Sequence, residues 1–300
     1  MLRGLRALFE VGHGGHRQIR SMEGLRGLAV FLVFLVHFVT LAEPWLQPGT
    51  LVWSAAGHLR AVGHAGVDLF FVLSGYLIYG TLIVKPRPLL PYALRRAQRI
   101  YPAFLAVLAL YLILSWLFPG ESKLPSGVLA TGAYLTANLL LLPGLFPIEP
   151  IITVAWSLSY EAFYYVAVPL VIGLLRLRRW PRSSRIVFFL VLAFTGLVWA
   201  HLGSGSHVRL VMFVAGILLF EALARESRAW PGWLGLLALA LALTAFDQVP
   251  AGPLRYAVLL LGFFLLCYSA FSGAGMTARV FCWTPLRWLG NMSYSYYLIH

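Results

Sequence analysis

The sequence predicts an all-α, polytopic bundle of transmembrane helices, and three observations lead to this fold class. Hydrophobic residues make up 60% of the 300-residue chain and charged residues only 11%, against about 25% charged residues in ordinary soluble proteins. Apolar stretches recur along the whole chain. The net charge is +13, but the basic residues cluster between the apolar stretches. This clustering indicates orientation in a bilayer rather than a nucleic-acid partner.

About ten hydrophobic segments follow one another in the chain. They lie near residues 28–42, 66–84, 101–118, 128–142, 153–175, 186–201, 208–224, 232–246 and 254–271, with a tenth that begins near Trp288. The tenth has about a dozen residues before His300, whereas a span needs about 20. We therefore expect an incomplete last span in a chain truncated at its C-terminus. Residues 1–300 are predicted to form a single integral-membrane domain.

The distribution of Lys and Arg predicts the topology. If every segment crossed the membrane, these residues would divide 12 inside to 11 outside, although cytoplasmic loops normally carry the excess. The fourth segment is short and ends in LPGLFPIEP, so we expect a re-entrant hairpin that enters and leaves on one side and lines a substrate chamber. With this hairpin and a cytoplasmic N-terminus, the Lys and Arg residues divide 19 inside to 4 outside. The four outside residues are Arg60, Lys123, Arg209 and Arg255.

The first segment carries two ionisable residues, Arg26 and His37, eleven positions apart. Eleven residues rise about 16 Å over about three turns, so both side chains lie on one helix face. Arg26 is expected at the inner membrane boundary and His37 near mid-depth, where an ionisable residue normally marks a functional site. His37 suits a general base acting on a hydroxyl. The alternatives are that Arg26 is an ordinary positive-inside anchor, and that His37 is a structural histidine whose hydrogen bonds are satisfied in the protein core.

Two carboxylates, Asp68 and Glu161, lie within apolar segments. Counting along the helices places Glu161 about 20 Å above the inner boundary and Asp68 near the outer surface. Together with His37 they suit acid–base chemistry, in which a carboxylate orients the imidazole or binds the acceptor. Four hydroxyl-bearing residues near Glu161 could together bind sugar hydroxyls: Ser157, Ser159, Tyr164 and Tyr165. The alternatives are a helix-cap role for Asp68 and a structural ion pair for Glu161.

The cysteines and histidines point to no further chemistry. Cys267 lies inside an apolar segment and Cys282 follows it, which does not form a disulfide framework. The histidines have no spacing typical of metal ligands. We therefore expect no metal site.

Five blocks of the sequence form a recognisable series: MEGLRGLAVFLVFLVH, GVDLFFVLSGYLI, RRAQRIYPAF, WSLSYEAFYY and LGNMSYSYYLIH. In this order they resemble the blocks of the membrane-bound acyltransferase-3 family, of the O-acetyltransferase type. The resemblance implies an enzyme that transfers acyl groups, often acetyl from acetyl-CoA, to extracytoplasmic carbohydrates. The sequence departs from the family in the fourth block. Ala162 follows Glu161 at the position where the family commonly has a second acidic residue. Only one carboxylate can be carried over there.

The resemblance also implies a role for each candidate residue. His37 and Glu161 would be catalytic, with His37 as a base or as a transient acyl carrier. Arg26 would bind a phosphate or the pantetheine arm of the donor through its fixed positive charge. Arg96 and Arg99 would add to a cradle for the donor phosphates on the cytoplasmic face; the alternative is that they only set the topology. The donor is acyl-CoA, expected to be acetyl-CoA, as a co-substrate rather than a bound cofactor. The residues expected to bind the acceptor or to be structural are Asp68, Trp156, Ser157 and Ser159.

The expected partners are the lipid bilayer, acyl-CoA and a carbohydrate or glycolipid acceptor, without nucleic acid, in the bacterial inner membrane. The alternative function is a secondary transporter or flippase, because such proteins also place ionisable groups at mid-membrane around a broken helix. We find no inverted repeat in the sequence, and the polar residues crowd into its first half. Both features favour a single reaction centre.

Overall fold

A computed structural model describes residues 17–203, 207–224, 231–272 and 275–299, and these residues contain no β-strand. Within them, six helices are long and apolar enough to cross a membrane. The protein is thus an all-α multi-pass membrane protein, as predicted. The six candidate spans are Arg20–Trp45, Leu51–Val84, Leu89–Leu117, Thr153–Leu174, Arg182–Leu202 and Pro253–Phe271.

The described residues form twelve α-helices. In chain order they are α1 (Arg17–Ala42), α2 (Leu51–Gly63), α3 (Ala65–Val84), α4 (Leu89–Leu117), α5 (Val128–Leu139), α6 (Trp156–Leu174), α7 (Arg182–Leu202), α8 (Val211–Leu223), α9 (Leu234–Gln248), α10 (Pro253–Phe271), α11 (Met276–Phe281) and α12 (Thr284–Ile299). Each hydrophobic segment of the sequence falls on one of these helices. The count of ten crossing or re-entrant segments stays a prediction.

Two helices, α2 and α11, were missed, and two others, α1 and α4, begin more than ten residues earlier than expected. The sequence of α2, LVWSAAGHLRAVG, mixes small and polar residues with apolar ones, which hides it from a search for continuous apolar runs. The third predicted segment begins near residue 101, whereas α4 begins at Leu89. The basic run Arg95–Arg99 was expected in a loop and is helical instead, because Leu, Ala, Arg and Gln all favour helices.

The first of two compact units contains α1, α2, α3 as far as Gly80, and α7 to α12 as far as Tyr296. Its helices approach one another most closely at glycines. A Cβ atom at Gly24 would overlap the carbonyl oxygen of Phe281, and one at Gly75 would overlap that of Phe213. The chain therefore requires glycine where these helices cross. Positions enclosed by neighbouring backbone in the same way are Gly27, Gly66, Gly216 and Gly290.

Charged side chains of the first unit gather where α1 ends. Arg60 of α2 pairs with Glu43, with 2.6 Å between Nη1 and Oε2. Arg209 donates a 3.3 Å hydrogen bond to the carbonyl oxygen of His64. Arg255 donates a 2.7 Å hydrogen bond from Nε to a carbonyl oxygen just after α9. Three of the four basic residues predicted outside thus lie around this end. Arg3, Arg6, Arg225 and Arg228, all predicted inside, lie outside the described residues.

The second unit contains the chain from Thr81 to Arg178 and residues 297–299. Its helices α4 and α6 are antiparallel, because Arg96 of α4 faces Tyr165 of α6 and Lys123, beyond α4, donates a hydrogen bond to Thr153, just before α6. The two ends of the segment Thr81–Arg178 lie together, because Arg178 donates a hydrogen bond to the carbonyl oxygen of Leu82.

Helix α5 of the second unit lies beside α4 and does not lead directly into another helix. Its 12 residues rise about 18 Å. The carbonyl oxygen of Leu139 accepts a 2.9 Å hydrogen bond from the hydroxyl of Tyr101. The chain then returns without α-helix over residues 140–155. Asn138 holds this return segment by accepting a 2.9 Å hydrogen bond from the backbone N–H of Ile151.

Candidate active site

Arg26 lies on α1 where α12 packs against it. Its side chain is half-buried, and Nη2 donates a 2.9 Å hydrogen bond to the hydroxyl of Ser293. One turn earlier, the buried pair Glu23 and Arg287 joins the same two helices. Because α1 begins at Arg17, Arg26 lies about 14 Å along the helix. The hydrogen bond to Ser293 of α12 holds its guanidinium in place, and its position at the inner membrane boundary stays a prediction.

His37 lies in the last third of α1, five residues before Ala42, or about 8 Å from the helix end. The sequence placed it near the middle of the span, but that expectation started the helix too late. Its imidazole is half-buried. His64 is close enough for the charges of the two side chains to interact. His37 therefore belongs to the end of α1 where α2 meets it.

Asp68 stands in the first turn of α3 and is completely buried. Its Oδ2 lies 3.3 Å from Nη1 of Arg209, the residue that also holds the carbonyl oxygen of His64. A buried carboxylate needs such a counter-charge. The ion pair joins the start of α3 to the start of α8. This placement favours the structural role over acceptor binding for Asp68.

Arg96, Arg99 and Glu161 come together around Tyr165 in the second unit. The guanidinium of Arg96 lies 5.0 Å from the centre of the Tyr165 ring and 5.3 Å from that of Tyr92. The Tyr165 hydroxyl donates a hydrogen bond to Oε1 of Glu161, and Arg99 interacts electrostatically with the same tyrosine. The sequence had separated Glu161 from the two arginines by depth. They lie together because α4 already begins at Leu89, so that both arginines are on the helix that packs beside α6.

The two arginines of this cluster suit an anion. Within the described part of the chain, neither Arg96 nor Arg99 forms an ion pair with a carboxylate. Guanidinium groups present planar sets of donors that match phosphate oxygens. The aromatic faces hold Arg96 in place through cation–π contacts. The cluster can therefore bind a phosphorylated molecule.

The start of α6 contains the other predicted residues. Trp156 is its first residue, and a Cβ atom at Gly144 would lie 2.7 Å from its carbonyl oxygen. The buried hydroxyl of Ser157 lies 2.9 Å from that of Tyr297 and donates to a carbonyl oxygen one turn earlier. Ser157 therefore anchors the helix start. Ser159 is fully buried, and its hydroxyl has no hydrogen-bond partner among the described residues.

Comparison with known proteins identifies the chemistry. The family model for the acyltransferase domain of acyltransferase-3 proteins matches residues 19–300. The chain belongs to the acyltransferase-3 family. It is thus a membrane acyltransferase.

Three relatives differ in how much of each protein aligns. The acyltransferase is 29% identical over 267 residues to the exopolysaccharide production protein ExoZ of Rhizobium meliloti (strain 1021), covering 81% of this chain and 77% of that protein. It is 31% identical over 156 residues to the O-acetyltransferase OatA of Staphylococcus aureus, covering 48% of this chain but only 26% of OatA. An uncharacterized protein of Haemophilus influenzae is 31% identical over 138 residues, which cover 42% of this chain and 55% of that protein. No solved structure matches the chain.

Sequence reasoning missed a buried charge network of the acyltransferase. The carboxylate of Glu221 on α8 lies 2.6 Å from Nε of Arg185 on α7 and accepts a hydrogen bond from Tyr79 of α3. Only 1% of the Glu221 side chain is exposed. A carboxylate within the apolar run of α8 was the available signal. Its partners are 36 and 142 positions away, so only the fold reveals them.

Proposed function

We propose that this acyltransferase moves an acyl group, expected to be acetyl, from acyl-CoA in the cytoplasm to a hydroxyl of a cell-surface or lipid-linked carbohydrate. The names of the relatives support two parts of this proposal. OatA is an O-acetyltransferase, and ExoZ is an exopolysaccharide production protein. The observation that carries the donor part is the pair of arginines around Tyr165, neither of which forms an ion pair with a carboxylate of the described residues.

The donor site would include Arg96 and Arg99, which suit the phosphate groups of acyl-CoA. Arg96 is already oriented by two aromatic rings, so little side-chain entropy is lost when it binds. Glu161, predicted as catalytic, would act from its observed position by holding the Tyr165 hydroxyl and so orienting the cluster. Arg26, which donates a hydrogen bond to Ser293 within the first unit, stays a predicted donor-binding residue.

The chemical step is an attack by the acceptor hydroxyl on the thioester carbonyl. The oxygen forms a bond to the acyl carbon, the carbon–sulfur bond breaks, and coenzyme A leaves as a thiolate that then takes up a proton. His37 would accept the proton of the hydroxyl as a general base, a role that typically contributes about 10²–10⁴-fold to the rate. Its position near one end of α1 suits an acceptor that arrives from that side.

We further propose that residues 1–300 form one acyltransferase domain in the inner membrane, with a cytoplasmic N-terminus and a re-entrant α5. Three observations support re-entry. Leu139 at the end of α5 lies beside Tyr101 of α4, the return segment contains no α-helix, and the start and end of the segment Thr81–Arg178 lie together. Cysteine labelling would contradict this topology if residues 176–185 reacted only with reagent added outside.

The experiment that tests the activity follows labelled acetyl rather than free thiol, because Cys282 is only half-buried and would add background. Purified protein in detergent receives acetyl-CoA with a labelled acetyl group and a membrane glycolipid extract. We expect label in the glycolipid fraction with wild type and none above background with His37→Ala. His58→Ala is the matched control, since His58 is exposed and pairs with Asp247.

Each outcome of this experiment decides one part of the proposal. Transfer by His37→Ala at the wild-type rate, in a folded protein, would refute His37 as the base. Absence of transfer by folded wild type would refute acetyl-CoA as donor or the extract as a source of acceptor. Mass spectrometry of the labelled glycolipid identifies the acceptor hydroxyl.

A further inference from the structure

His64 is brought beside His37 by a close helix contact. A Cβ atom at Gly63, the last residue of α2, would lie 2.5 Å from the carbonyl oxygen of Leu32 and 2.6 Å from Cγ2 of Val36. The residues that follow Val36 and Gly63 in the sequence are His37 and His64. The two imidazoles lie close enough for charges on them to interact. Two histidines 27 positions apart in the chain thus become neighbours.

The backbone of His64 is held firmly at the junction of α2 and α3. Its carbonyl oxygen accepts a 3.3 Å hydrogen bond from Arg209, and Arg209 is itself paired with the buried carboxylate of Asp68. The side chain of His64 is exposed, whereas that of His37 is half-buried. The two imidazoles therefore lead from the interior of the first unit to its surface.

We propose that His64 is a second proton-transfer residue, which receives from His37 the proton of the acceptor hydroxyl and releases it to water at this end of the protein. The inference rests on the proposed function and extends it by naming where the proton leaves. Imidazole is suited to this task because it binds and releases protons near neutral pH.

The proton balance of this step is complete. The acceptor O–H bond breaks as its oxygen bonds to the acyl carbon, and the electron pair of the broken carbon–sulfur bond leaves with sulfur. The proton passes from the hydroxyl to His37, then to His64 and to water. The coenzyme A thiolate takes one proton from water. One proton is therefore released and one is taken up in each transfer.

Several charged groups surround His64 and share its environment. Arg60 of α2, Arg209 before α8 and His37 of α1 all interact with it electrostatically. The carboxylate of Asp68 on α3 is paired with Arg209. A pH profile of His64 variants must be interpreted with these groups in place, so none of them is changed in the test.

The test measures labelled acetyl transfer by His64→Ala with and without added imidazole. We expect kcat to fall about 10²-fold or more, within the range for lost proton transfer, with an unchanged KM for acetyl-CoA. Imidazole in the buffer should restore much of the rate, because it can carry the proton in place of the missing side chain. His58→Ala, which changes an exposed histidine of α2, should keep the wild-type rate and show no response to imidazole.

Two results would overturn the inference while leaving the proposed function intact. One is a wild-type rate for His64→Ala. The other is a reduced rate that does not respond to imidazole, which would indicate a packing role. If His64→Ala is not recovered folded, His64→Gln replaces it, and a wild-type pH profile for kcat in that variant would overturn the inference. Absence of transfer by wild type would overturn the proposed function and this inference together.

Discussion

The buried ion pair of Glu23 and Arg287 allows a quantitative test of how α1 and α12 are held together. Nε of Arg287 lies 2.8 Å from Oε2 of Glu23, and only 8% and 10% of the two side chains are exposed. Gly290, on the next turn of α12, is in contact with the Glu23 backbone. The variant Arg287→Met removes the guanidinium and leaves the carboxylate buried without the charge that balances it.

The expected loss follows from the burial of both groups. Removing one member of a buried pair typically costs about 3–5 kcal/mol. At roughly 2 °C per kcal/mol for a large domain, the apparent unfolding temperature should fall by about 6–10 °C. The double variant Glu23→Gln/Arg287→Met should recover most of this loss, because replacing both charges by neutral groups is often close to neutral.

The assay is thermal unfolding in detergent, followed by tryptophan fluorescence and by size-exclusion chromatography of heated samples. The two single variants and the double variant form a double-mutant cycle that isolates the pairwise energy. Arg20→Met is the matched control, since Arg20 is an exposed arginine of α1. The reasoning would be refuted if Arg287→Met unfolded at the temperature of the control, or if the effects of the two single changes simply added.

Three further predictions test the donor cluster, a glycine crossing and the missed charge network. Arg96→Ala should raise the KM for acetyl-CoA about tenfold or more, since a hydrogen bond to a charged group contributes about 1.5–3 kcal/mol. The control Arg95→Ala changes an exposed neighbour and should leave this KM unchanged. Equal KM values for Arg96→Ala and wild type would contradict the donor role. Gly27→Ala should lower the yield of monodisperse protein on size-exclusion chromatography, because its Cβ would overlap a carbonyl oxygen of α12, whereas Gly57→Ala, with no atom within 4 Å, should be tolerated. Glu221→Gln should lower the unfolding temperature in the same assay, since it leaves buried arginine charge without its partner; an unchanged temperature would show that the network is not needed for stability.

Much of the fold could be predicted from the sequence because membrane insertion depends on local composition. Continuous apolar runs located α3 and α7 to within a few residues, since hydrocarbon selects each span by its own hydrophobicity. The same reasoning failed for α2, whose small and polar residues are tolerated because its end packs on α1 at Gly63. It also failed for the first 12 residues of α4, where basic residues continue a helix. Composition does not indicate where a helix begins outside its apolar run.

The candidate site was predicted as a set of residue types rather than as an arrangement. Arg26, His37, Arg96 and Glu161 were selected because ionisable groups in apolar segments are costly. Their partners on other helices were not predicted, and α1 and α4 were expected to start later than they do. The structure shows that Tyr165 joins the arginines of α4 to Glu161.

The sequence by itself determined that the protein is helical and embedded in a membrane, that it belongs with acyltransferases, and which ionisable residues are candidates for chemistry. These properties depend on local composition and on short motifs. Only the tertiary structure decided which charges meet: Glu23 with Arg287, Asp68 with Arg209, and His37 with His64. Such pairs are separated by 27 to 264 positions. They form because backbones approach closely at glycines, which is a property of neighbouring helices and not of any one segment.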